Sequence, residues 1–85
     1  SSNRESGDGR YDIQLKPVKK NLPGILIELK AEKNCPGDRL KNLSQLALRQ
    51  INDRKYDTEM RTEGITTIYK YGVAFSGKHV EISVG

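Results

Sequence analysis

The chain has 85 residues, of which 34% are hydrophobic and 31% charged, and its 15 lysines and arginines against 11 acids leave a net charge of +4. That composition fits one small soluble domain, near the size at which a single apolar core only just suffices. No apolar run approaches the roughly 18 residues of a membrane span and the polar start carries no signal-peptide pattern, so no membrane role and an intracellular location (cytoplasmic if prokaryotic) are expected.

A single cysteine, Cys35, rules out an internal disulfide framework, and with one histidine, His79, the chain cannot assemble a zinc site from within. The basic balance has two readings, an ordinary solvated surface or a nucleic-acid partner whose phosphates exchange counterions for lysine and arginine. Charge alone does not choose between them.

Residues 1–10 are polar and glycine-rich with no initiating methionine, an opening segment expected of a piece cut from a longer protein; residues 11–85 form the expected core of one domain. Residues 11–16, Tyr-Asp-Ile-Gln-Leu-Lys, alternate with period two and predict a strand. Residues 17–24 hold Pro17, Asn21, Pro23 and Gly24, a turn-rich connection, and residues 24–31, Gly-Ile-Leu-Ile-Glu-Leu-Lys-Ala, predict a second strand. After a loop over residues 34–38, in which Asp38 is the expected N-cap, residues 39–62 read as one helix with Leu40, Leu43, Leu46, Ala47 and Ile51 on its apolar face and Gly64 closing it. Residues 66–75 and 79–84 predict two more strands joined by a tight turn at Ser76-Gly77-Lys78. The order strand, strand, helix, strand, strand predicts an α/β (α+β) domain with a mixed four-stranded sheet.

The first two strands place chemistry together. A connection centred near Lys20 sets Asp12 opposite Glu28, eight residues to either side. Alternation then sends Ile13, Leu15, Ile27 and Leu29 to one face, expected to be the core, and Asp12, Glu28 and Lys30 to the other. Side chains directly opposed across such a pair stand with Cβ atoms about 4.5–5.5 Å apart, close enough for two carboxylates to share a cation. Hard carboxylate oxygens suit Mg²⁺ or Mn²⁺, the main-chain carbonyl of Leu29 offers a further ligand, and Lys30 is placed to orient water or phosphate. The same trio also reads as a salt-bridge ladder on a solvated sheet face. Gln50 lies within the helix's apolar arc, where a buried amide demands a partner; it is either bonded to core backbone or aimed at the acid face. Arg54, one turn on, is placed to meet phosphate.

Four ordered segments resemble one family. Asn3-Arg4-Glu5-Ser6-Gly7-Asp8-Gly9-Arg10-Tyr11-Asp12-Ile13, Gly24-Ile25-Leu26-Ile27-Glu28-Leu29-Lys30, Ala47-Leu48-Arg49-Gln50-Ile51 with Lys55-Tyr56, and Tyr71-Gly72-Val73-Ala74-Phe75-Ser76-Gly77-Lys78 are together similar to the PD-(D/E)XK nuclease-superfamily domain found after AAA-ATPase-like domains in prokaryotic proteins. The resemblance implies a restriction-endonuclease-like fold whose N-terminal core helix is missing here, and a Mg²⁺- or Mn²⁺-dependent nuclease acting on DNA beside an AAA-ATPase-like domain. It implies Asp12 and Glu28 as metal ligands with Lys30 and Gln50 completing the catalytic set, and it points to Glu5 as an additional upstream acid on the metal. Arg10, Arg54, Lys55 and Tyr56 are candidates for nucleic-acid contact. Gln50 and Tyr56 resemble a glutamine–tyrosine motif of some exonuclease members, but here six residues separate them, which on one straight helix turns Tyr56 to another side. The alternatives are a catalytically silent nuclease fold that binds nucleic acid or regulates an associated ATPase, and a plain interaction domain. A homodimer is a further expectation if the fold leaves a face uncovered.

Overall fold

The computed structural model describes residues 2–5, 10–19, 21–54 and 56–85, with only the backbone of residues 2–5 and 10. Five strands form one mixed sheet in the order β1-β2-β3-β4-β5: β1 (Ser2–Glu5), β2 (Arg10–Leu15), β3 (Gly24–Ala31), β4 (Ile68–Ser76) and β5 (His79–Val84). All neighbours are antiparallel except β3 and β4, which run parallel and are joined through helices α1 (Gly37–Asp53) and α2 (Tyr56–Thr62). Three expectations change here. The sheet has five strands, because the polar opening segment adds an antiparallel edge strand on β2. The single helix is two, broken after Asp53. And α1 starts at Gly37 with Pro36 as its N-cap residue, so Asp38 sits inside the first turn, where its charge suits the helix dipole, instead of capping it.

The helices lie on one face of the sheet only, and it is the face of the acids. Leu26, Glu28 and Lys30 of β3 and Ala74 of β4 are buried beneath them, whereas the Ile25, Ile27 and Leu29 side of β3 is only half-buried. Leu26, Ile51 and Met60 make one core cluster, and Cys35, Leu40 and Ala74 a second. Among the described residues no helix covers the predicted core face. Tyr11, Ile13 and Leu15 of β2 continue it on one side of β3, with Tyr69, Tyr71, Val73 and Phe75 of β4 on the other. On β5, Val80, Ile82 and Val84 are 55–68% exposed.

Close helix–sheet approach explains the choice of face. A Cβ on Gly72 would strike the backbone of Ser44 and Leu48 in α1, so only glycine allows the helix to lie this near β4. Small Ser44 and Ala47 line the contact with no exposure, while Leu46, expected in the core, is 41% exposed. Buried Ser44 meets its polar needs internally, its hydroxyl 2.7 Å from both the Lys41 carbonyl and the Ser83 hydroxyl. At the far end α2 closes with Gly64 at φ 91°, its N–H donating to Arg61 O and that of Ile65 to Met60 O, while Met60 and Ile65 pack together. This is a Schellman closure, in which a left-handed glycine satisfies the last carbonyls.

No helix among the described residues is long and apolar enough to cross a membrane. The Gly72 contact yields a test. Gly72→Ala should lower stability by about 1–3 kcal/mol through overpacking against helix backbone, read as a reduced urea midpoint, whereas Gly37→Ala, which meets nothing within 4 Å, should not.

Candidate active site

β2 and β3 pair with Asp12 directly opposite Glu28 and Arg10 opposite Lys30, the predicted register. What the sequence did not foresee is the burial. Glu28 is fully buried, and Asp12 and Lys30 are 8% and 7% exposed, so the trio is no solvated ladder on an open sheet. Burial is costly for ions unless they are paired or take a metal. Neither Glu28 carboxyl oxygen has a hydrogen-bond partner among the described residues, and the buried Oε1 of Gln50 is likewise unsatisfied.

The two residues after the helix break do the closing. The Arg54 guanidinium donates to Asp12 Oδ2 at 2.6 Å and lies 3.6 Å from Glu28 Oε1. The Tyr56 hydroxyl donates to the same Asp12 oxygen at 2.9 Å. On an unbroken helix Tyr56 would point elsewhere. Ending α1 at Asp53 and restarting at Tyr56 redirects the chain so that both side chains converge on Asp12. Lys70 braces the break, its ammonium 2.8 Å from Asn52 Oδ1 and 3.3 Å from Asp57 Oδ2, one partner on each helix.

Gln50 sits one turn before Arg54 in α1 and half-buried, so both project from the same side of the helix. Leu29, between Glu28 and Lys30, is paired with Tyr11 and Val73 in the sheet. Glu5 stands in the β1–β2 ladder opposite Tyr11, with Arg4 the residue opposite Asp12; the side chains of Glu5 and Arg10 lie outside the described residues, as does all of Lys55. His79 is exposed, while Cys35 is buried in its loop with its N–H on the Ser76 hydroxyl.

The donor set suits a hard divalent cation. Two facing carboxylates and an unsatisfied amide oxygen are all oxygen ligands of the kind Mg²⁺ and Mn²⁺ prefer. No group of three or more His, Cys, Asp or Glu side chains positioned for a metal occurs among the described residues, so such an ion would rely on the acid pair plus amide, main-chain and water oxygens.

Electrostatics single out Glu28 as the less compensated member of the pair. Burial first, and then the neighbouring Asp12, push the Glu28 carboxyl up from 4.5 to about 8, against smaller opposing effects from Arg54 and Lys30. An acid whose folded pKa is raised binds more protons in the native than in the unfolded state. Its stabilising contribution is therefore full below about 4.5 and is lost as pH climbs through about 8. The metal-free protein should show a urea midpoint that falls over this window, and Glu28→Gln should flatten that dependence; an equal slope in both proteins would contradict the assignment.

Comparison with known proteins adds the family. No curated protein and no solved structure matches the chain significantly. A family model, the PD-(D/E)XK nuclease superfamily, matches residues 1–84. With nearly the whole length covered, and with an acid–acid–lysine trio on adjacent strands beneath a helical cover, the chain belongs to the PD-(D/E)XK nuclease superfamily.

Proposed function

We propose that this domain is a Mg²⁺-dependent nuclease that hydrolyses phosphodiester bonds of DNA. The observation that supports it most is the buried pair Asp12 and Glu28 facing each other across one rung, with both Glu28 carboxyl oxygens and the nearby Gln50 amide oxygen lacking hydrogen-bond partners among the described residues. When bound, Mg²⁺ supplies a water of lowered pKa and neutralises charge building on the phosphoryl group.

The chain's own residues divide the remaining work. Asp12 and Glu28 offer carboxylate oxygens, with the Leu29 carbonyl as a further candidate ligand; Glu5, expected as an additional acid on the metal, belongs by its register opposite Tyr11 to the other face of the sheet. Glu28 gives up its proton to become a ligand, which makes the site more receptive at alkaline pH. Lys30, on the same face, donates to the attacking water or to a non-bridging phosphate oxygen. Gln50 turns its amide to the water or the substrate backbone. Tyr56 fixes the Asp12 carboxylate by hydrogen bonding to Oδ2. Arg10 and Lys55 are the further phosphate contacts in this reading, and the basic balance of the chain draws the polyanion. We extend the proposal to the AAA-ATPase-like neighbour that the sequence resemblance implies, as the source of strand delivered to the site.

The experiment is cleavage of single- and double-stranded DNA and of RNA with Mg²⁺, Mn²⁺ or EDTA. Cleavage should require metal, and Asp12→Asn should reduce it by at least about a thousandfold, the scale of losing a transition-state charge contact, with circular dichroism unchanged. Salt-dependent DNA binding with no metal-dependent cutting would instead favour a silent binding module.

We also propose that a second copy covers the sheet face opposite the helices. Four strands at about 4.8 Å spacing and about 20 Å long give a footprint on the order of 400 Å². A contiguous apolar patch of a few hundred Å² is the size that often marks an interaction site. Strands β2 to β5 place no charged residue on this face, so two copies meet there without like charges opposed despite a net charge of +4, with Glu5 of the edge strand, opposite Tyr11, at its rim. The helices and acid sites then lie on opposite outer sides of a two-sheet stack. Sedimentation equilibrium should give a dimer at micromolar concentration, and Ile82→Lys, at a position already 59% exposed, should give a folded monomer. A native protein that stays monomeric and soluble at every concentration would overturn the dimer.

A further inference from the structure

A cation of the chain itself bridges the acid pair. One guanidinium nitrogen, Arg54 Nη1, lies 2.6 Å from Asp12 Oδ2 and 3.6 Å from Glu28 Oε1, so it bridges the two carboxylates. Those side chains are 10% and 0% exposed, whereas Arg54 is 31% exposed and reaches them from the solvent side. Its backbone is the C-cap of α1, fixed by its N–H to Gln50 O, while the side chain spans the helix break. The backbone is thus anchored and the charged end has a path outward.

Arginine stays charged at any working pH, and its fork matches carboxylate and phosphate equally well. A divalent ion held by the Asp12 and Glu28 carboxylates would share the site with the same guanidinium, and two cations in one low-dielectric site repel strongly. Both cannot hold the pair together. The geometry points to an exchange: Arg54 is a resident counter-cation of the acid pair, it yields its place there when a divalent ion binds, and the freed guanidinium turns to a phosphate at the mouth of the site. This rests on the nuclease reading and deepens it. By linkage, Arg54 weakens metal binding to the protein alone and strengthens it when phosphate is present, because the phosphate gives the displaced arginine a partner.

The test is Mn²⁺ titration by calorimetry without nucleic acid, on native protein, Arg54→Gln and Arg54→Lys. Losing a charge-assisted contact that competes with the ion should tighten Mn²⁺ binding by about tenfold to a hundredfold in Arg54→Gln. Arg54→Lys, with a shorter reach and no fork, should fall between. Adding inorganic phosphate should tighten Mn²⁺ binding to native protein and do less for Arg54→Gln. Equal or weaker Mn²⁺ binding by both variants overturns the exchange while leaving the nuclease reading intact. Should Arg54→Gln fail to fold even with Mn²⁺, Arg54→Lys decides: affinity above native supports the exchange and affinity at or below native overturns it. If native protein and both variants bind neither Mn²⁺ nor Mg²⁺, the nuclease reading falls with it.

Discussion

Everything distinctive in this domain is arranged around one rung of an antiparallel ladder, where Asp12 and Glu28 face each other out of water. Two carboxylates so placed repel and are poorly solvated, and neither oxygen of Glu28 has a hydrogen-bond partner among the described residues. The fold accepts that cost and answers it from one direction, the break between the helices. Arg54 and Tyr56 both bond Asp12, and Lys70 ties the two helix ends on either side of the break to β4. Removing the acids would leave these residues with no evident common purpose. The site is thus the reason for the break, and the break is the reason α2 exists as a separate helix.

The helical cover has its own requirement, closeness. A glycine at position 72 and small residues at 44, 47 and 74 bring α1 against the sheet, and only a helix that near can drop its C-terminal end over the acids. A bulky core would hold the helix further off and leave the carboxylates wet. The scarcity of large buried side chains here belongs to the site's architecture and is not a defect of packing.

The Asp12–Glu28 register was readable because it follows from alternation on both strands and a connection whose centre could be located. The covered face was harder to read. Ile13, Leu15, Ile27 and Leu29 are the more apolar set, and hydrophobicity alone assigns them to the core. The better signal was size: Gly72, Ala74 and Ser76 alternate with Tyr71, Val73 and Phe75, and close helix contact selects the small set. The same bias placed Leu46 inside and overlooked Ser44. The helix break has no glycine or proline to announce it, although the buried positions 40, 44, 47 and 51 fall out of phase with Met60, a slip that an unbroken helix does not produce. The edge strand β1 was unreadable for a different reason: its four residues, Ser-Asn-Arg-Glu, carry no apolar alternation that would announce a strand.

The brace at Lys70 has a consequence for how such sites can vary. Because it grips Asn52 on one side of the bend and Asp57 on the other, the bend behaves as a fixed elbow and not as a loose joint. An elbow sets direction by its angle, so the number of residues between a glutamine on the upper arm and a tyrosine on the forearm is free to change so long as the angle compensates. What is preserved is a meeting point in space, and chains that look misspaced along the sequence can still deliver the same hydroxyl to the same carboxylate.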